Sequence, residues 1–163
     1  MTPADATGSG GGAERFREFI AAKGLHMVAV EMPASTHSAE DAAAAIGCEV
    51  AQIAKALVFR GQASGDALLV IASGPNRVDE AKIATIAGES VEFPDAEFVR
   101  DATGFSIGGV PPFGHDRALR TLVDEDLVAC SEIWAAAGTP RAVFRLSPDD
   151  LVKLSGGQVV AIH

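Results

Sequence analysis

The chain has 163 residues and a mass of 16.7 kDa, and 48% of it is hydrophobic, enough for one domain around one core. A net charge of −9 and a pI near 4.8 exclude a broad, sequence-independent grip on nucleic acid, which needs many cations along the phosphates. The longest apolar run, ALLVIASG at 67–74, is far too short to cross a bilayer, and the N-terminus lacks the order of a signal peptide. A cytoplasmic protein with no membrane partner is therefore expected.

In chain order, the Gly/Ser-rich residues 1–13 read as a flexible tail, and 14–163 as a single domain. Phe16, Phe19 and Ile20 share one face of a helix over 14–23 that stops at Gly24. LHMVAVEM (25–32) reads as a strand before Pro33. Ser38 is the N-cap of a second helix, which Gly47 ends. EVAQIAK is a short helix or turn running into the strand KALVFR, and GQASGD gives hairpin spacing to ALLVIAS. VDEAKIATIAG forms an acidic-capped helix closed by Gly88, and 95–101 a shorter one. LRTLV is a strand followed by an acidic turn, VDED. EIWAAAGTPRAVFRLSP folds as two strands about Gly-Thr-Pro. SPDDLVKLSGG is a helix capped by Ser147 and stopped by Gly156, and QVVAIH closes as a strand. Strands that come both paired and single between helices favour an α+β fold with a mixed sheet over a doubly wound parallel one.

Two features carry potential chemistry. Lys55 stands in the apolar stretch IAKALVF. On a helix it points away from Ile53 into solvent; on a strand it shares a face with Leu57 and Phe59, a cation at the mouth of an apolar pocket. The segment TGFSIGGVPPFGH (103–115) is too rich in backbone breakers for a helix or central strand. It is either a tight connector or a rigid loop through which backbone approaches a small ligand. His37 and His115 lie in loops. Cys48 and Cys130 are far apart and read as small buried thiols. No GxSxG, HExxH or clustered ligand set is present, so neither a metal nor another cofactor is expected.

The ordered stretches THSAEDAAAAIGCEVAQIAKALVF (36–59), LLVIASGPNRVDEAKIA (68–84), TGFSIGGVPPFG (103–114), TLVDEDL (121–127) and AAAGTPRAVFRLSPDDL (135–151) resemble the YbaK/prolyl-tRNA editing family. The resemblance implies that family's α+β fold, with a mixed, partly closed sheet and surrounding helices. It implies a trans-editing aminoacyl-tRNA deacylase that hydrolyses a wrong small amino acid from the 3′ end of tRNA(Pro) or a related tRNA. The family's QI-x-K-x-L-x-F lysine falls on Lys55, and its GxxxP loop on Gly108 through Pro112. Lys55, Gly108 and Pro112 would then be catalytic. Thr36, His37, Gly109, Val110, Pro111, Phe113, Gly114, His115, Ala136 and Gly138 would line the substrate. The partners implied are the acceptor end of a mischarged tRNA and an aminoacyl-tRNA synthetase.

Three positions depart from the family pattern. Ala56 follows the lysine where serine or asparagine is frequent, and Ala136 and Val143 replace a serine and an aspartate of the cysteinyl-tRNA-specific branch. The departures point to a more apolar pocket. They also leave a rival open, a non-catalytic module of the same fold that binds a small ligand or aminoacyl-tRNA.

Overall fold

The computed structural model describes residues 9–32 and 38–163. Helix α1 (Ser9–Ala22) leads to β1 (Ala29–Glu31) and α2 (Ala39–Ile46). A 3-10 turn (Val50–Gln52) enters β2 (Ile53–Gly61), followed by β3 (Ala67–Ser73), α3 (Glu80–Ala87), β4 (Val91–Glu92) and α4 (Ala96–Thr103). The chain ends with β5 (Arg120–Asp124), α5 (Glu125–Val128), β6 (Ile133–Ala136), β7 (Ala142–Leu146), α6 (Pro148–Ser155) and β8 (Gln158–Val160).

The caps expected at Ser38 and Ser147 form, and Asp95, expected inside the helix over 95–101, instead caps a helix that begins at Ala96. Ser38 Oγ accepts the Asp41 N–H at 3.0 Å, Asp95 the Phe98 N–H at 2.9 Å and Ser147 Oγ the Asp150 N–H at 3.1 Å. Four other readings change. The first helix begins at Ser9 rather than 14, because Gly12 meets the β6–β7 turn: a Cβ there would sit 2.1 Å from the Gly138 carbonyl oxygen. Close approach outweighs the poor helix propensity of glycine. The strand expected over 25–32 shrinks to Ala29–Glu31, the only part that pairs with β7. The acidic turn after β5 is a short helix, α5, whose first turn Asp124 caps through the Asp126 N–H. Cys48 and Cys130 are half-buried rather than buried.

The mixed sheet runs in the order β1-β7-β6-β2-β3-β5-β8, with β4 joined to β2. One face packs Leu69, Ile71 and Val123 against Phe16, Phe113 and Phe144; the other packs Leu68, Val70 and Leu122 against Ile83 and Ile162. Burial on both faces explains why β3 is an unbroken apolar run.

The two edges of β2 differ. Toward β3 it pairs antiparallel without interruption, from Ala54↔Ser73 to Arg60↔Ala67. Its other edge meets β6 only at Ile53 and Ala54, and β4 only at Arg60 and Gly61. Gly61 N–H bonds Asp66 on the β3 side and Gln62 N–H bonds Ser90 on the β4 side. Alternation along the strand therefore turns the N–H and C=O of Ala56 and Val58 to the open edge. Continuing the β4 register would set Pro94 opposite Val58, and proline has no N–H to donate. Pro94 thus ends the ladder on the β4 side, and on the β6 side pairing stops at Ala54.

Candidate functional site

A cleft of about 580 Å³ lies over this gap. Ala54, Val58, Val110, Ala135, Ala142 and Val143 supply apolar wall, and Lys55, Gly108 and Ala136 also face it. Lys55 is on a strand, so of the two readings it takes the pocket one. Its Nζ donates to the Asn76 carbonyl at 2.9 Å. Burial pulls its pKa below the usual lysine value, and the negative charges of Glu40 and Asp124 oppose that shift.

Asn76 is itself clamped. Its Nδ2 donates to Asp124 at 2.8 Å and to Asp126 at 2.7 Å. Asp124, fully buried, also accepts the Ser73 and Asp126 N–H groups, each at 2.9 Å. A buried carboxylate supplied with N–H donors in this way is a fixed anchor. Sequence reasoning missed both residues. The available signal was an aspartate ending the apolar strand RTLVD, a place where an unpaired carboxylate would be costly.

The loop wall is built by close backbone approach. Gly108 has φ +89, in the left-handed region, and Gly109 packs so tightly on Thr139 that a Cβ would lie 2.6 Å from its Cα. Val110 through Phe113 are buried. The remaining expected site residues support this loop instead of lining the cleft. Phe113 packs at tilted and edge-on angles among Phe16, Phe19 and Phe144, and Gly114 abuts Phe19. The His115 ring nitrogen bonds the Pro111 carbonyl at 2.7 Å, and burial lowers its pKa. Gly138 meets Gly12, while Pro111 and Pro112 sit buried behind the wall. Thr36 and His37 lie outside the described residues.

Burial, with nearby carboxylates, raises the pKa of both Cys48 and Cys130, so neither is a poised nucleophile. Asp124, Asp126 and His163 bring one ligand atom each to within 4.8 Å of one another, a cluster that the sequence spacing hid. Asp124 and Asp126 are already committed to N–H donors there. Among the described residues no helix is long and apolar enough to cross a membrane.

Comparison with known proteins agrees with this geometry. A family described as the aminoacyl-tRNA editing domain matches residues 33–154. The crystal structure of a candidate trans-editing enzyme for prolyl-tRNA synthetase is 46% identical, superposes with a TM-score of 0.87, and is matched over 93% of this chain and 96% of that one. EbsC of Enterococcus faecalis, named as a candidate Cys-tRNA(Pro)/Cys-tRNA(Cys) deacylase, is 31% identical over 126 residues, 77% of this chain and 76% of that protein. A proline–tRNA ligase of Bacillus licheniformis is 31% identical over 111 residues, 68% of this chain but 19% of the ligase. The chain belongs to the aminoacyl-tRNA editing domain family.

Proposed function

We propose that this chain is a trans-editing hydrolase that removes a wrong small amino acid from the 3′ end of tRNA(Pro) or a related tRNA. The observation that carries the reading is the meeting, in one cleft, of the Lys55 ammonium, an open strand edge and the Gly108 loop. Lys55 gives one N–H to Asn76 and keeps its remaining donors for a phosphate of the acceptor end. Of the Gly108–Pro112 loop, the parts that face the cleft, Gly108 and Val110, hold the aminoacyl group, and Pro111 and Pro112 stiffen them from behind. The Ala56 and Val58 N–H groups are suited to the ester carbonyl as negative charge develops on it. Water adds to that carbonyl, the C–O bond to the ribose breaks, and the ribose oxygen leaves with a proton. The products are a free amino acid and intact tRNA. An activated ester held beside a positioned water needs no side-chain nucleophile.

Ala56, Ala136 and Val143 make a wall suited to a small side chain. A net charge of −9 suits capture of the acceptor end alone, or delivery by a synthetase partner, and the similarity to part of a proline–tRNA ligase supports prolyl-tRNA synthetase in that role. The test is a panel of tRNAs mischarged with alanine, serine, threonine or cysteine. At least one is expected to be deacylated well above the rate in buffer. Lys55→Ala should lower kcat/KM by about 10–10²-fold, the scale for losing one charge-assisted contact to a phosphate. Retention of aminoacyl-tRNA on the protein without turnover would instead identify a non-catalytic binding module.

A further inference from the structure

Of the eight phenylalanines, only Phe93 is exposed, at 60% of its surface. It follows β4 directly, at the point where Pro94 ends the pairing with β2. One face of its ring is held by Phe59, which is fully buried; the centroids are 4.5 Å apart and the planes tilted by 32°. The exposed ring and the exposed Ile107 both line the cleft that holds Lys55. Lys55 and Phe59 lie on the same face of β2, with Leu57 between them, so Phe93 stands along the strand from the ammonium. A rigid aromatic face beside a cation, at the rim of a cleft, has the chemistry of a nucleotide site. The ring takes the base and the ammonium takes phosphate.

We infer that Phe93 is the stacking platform for the terminal adenine of the tRNA acceptor end. This rests on the reading of the cleft as an aminoacyl-tRNA site and assigns one of its binding residues. Phe59 fixes the ring before the ligand arrives, so little ordering remains at binding. Stacking asks only for a π-face, which lets an acidic protein hold a nucleotide with a single cation nearby.

The test uses the full-length protein and two readouts. The first is binding of the uncharged trinucleotide CCA, with the dinucleotide CC as control, followed by fluorescence of Trp134, the single tryptophan and itself a residue of the cleft. CCA is expected to bind the wild type at least about tenfold tighter than CC, and Phe93→Ala to remove that advantage while Phe93→Tyr keeps it. The second is deacylation of the best substrate of the panel, where Phe93→Ala should raise KM about tenfold and leave kcat near wild type. CCA binding no better than CC in the wild type, or unchanged binding and KM in Phe93→Ala, overturns the platform. So does a Phe93→Ala variant that turns a dimer into a monomer with CCA binding intact, because the ring would then belong to a contact between copies. Tight CCA binding without hydrolysis of any mischarged tRNA supports the platform and defeats the catalytic reading, so the two fail separately.

Discussion

The two edges of β2 are made by the same residues and do opposite work. Toward β3 every position from Ala54 to Arg60 is paired, and the strand is part of the scaffold. On the other edge Ala56 and Val58 have no backbone partner among the described residues, and the strand becomes the floor of a cleft. A half-paired strand gives a site both rigidity and free hydrogen-bonding groups, because the ladder on one side fixes the geometry of the groups on the other.

The sharpest way to break this comparison is a pair of neighbouring prolines. Leu57 exchanges its backbone bonds with Val70, so Leu57→Pro removes a ladder bond and orphans a buried carbonyl. Roughly 3 kcal/mol or more of stability should be lost, read as a fall in the urea midpoint. Ala56→Pro removes an N–H that faces the gap, where proline is tolerated as on any strand edge. It should fold with a much smaller loss of stability and still lose deacylation. Equal destabilisation by the two would show that the open edge is not open in solution.

A smaller effect is expected from Asn76, which joins the scaffold to the site. Asn76→Ala leaves the backbone carbonyl that receives Lys55 but removes the bonds to Asp124 and Asp126. Stability should fall by about 1.5 kcal/mol and kcat/KM by about tenfold, because a Lys55 acceptor that moves cannot hold the ammonium in place. Asn76→Asp should be worse, since it sets a third carboxylate among Asp124 and Asp126.

What could be read from sequence divides along the same line. Helix limits at Ser38, Gly47, Ser147 and Gly156 were legible because a cap is a local event within a few residues. The β2–β3 and β6–β7 hairpins were legible for the same reason. Lys55 was ambiguous because a 3-10 turn ends three residues before it, and a boundary shift of that size exchanges pocket for solvent. The gap itself was not legible. It depends on β4, only two residues long, and on β6 meeting β2 across a long stretch of chain. The GxxxP segment was recognisable as a wall, but its division of labour was not: Gly108 and Val110 face the cleft, while Phe113, Gly114 and His115 hold the loop from behind. That division follows from the aromatic cluster contributed by α1, which no local pattern reveals.

The smallest effect concerns the closed end of β2, and it tests whether scaffold and site can be separated by pH. The Glu89 carboxylate accepts the Ala63 and Ser64 N–H groups, each at 2.9 Å, and the Ser64 hydroxyl at 2.6 Å, and so pins the β2–β3 turn. The Ser64 hydroxyl and its N–H hold the Glu89 pKa below the usual glutamate value. A depressed carboxylate contributes stability that is present above its unfolded pKa and lost as pH falls through the folded one. Glu89→Gln should therefore lower the melting temperature slightly at neutral pH, and the difference from wild type should shrink to nothing in acid. Deacylation by Glu89→Gln at neutral pH should match the wild type. If the variant loses activity at neutral pH in step with its melting temperature, the turn and the cleft are one cooperative unit, and the separation of the two edges does not hold.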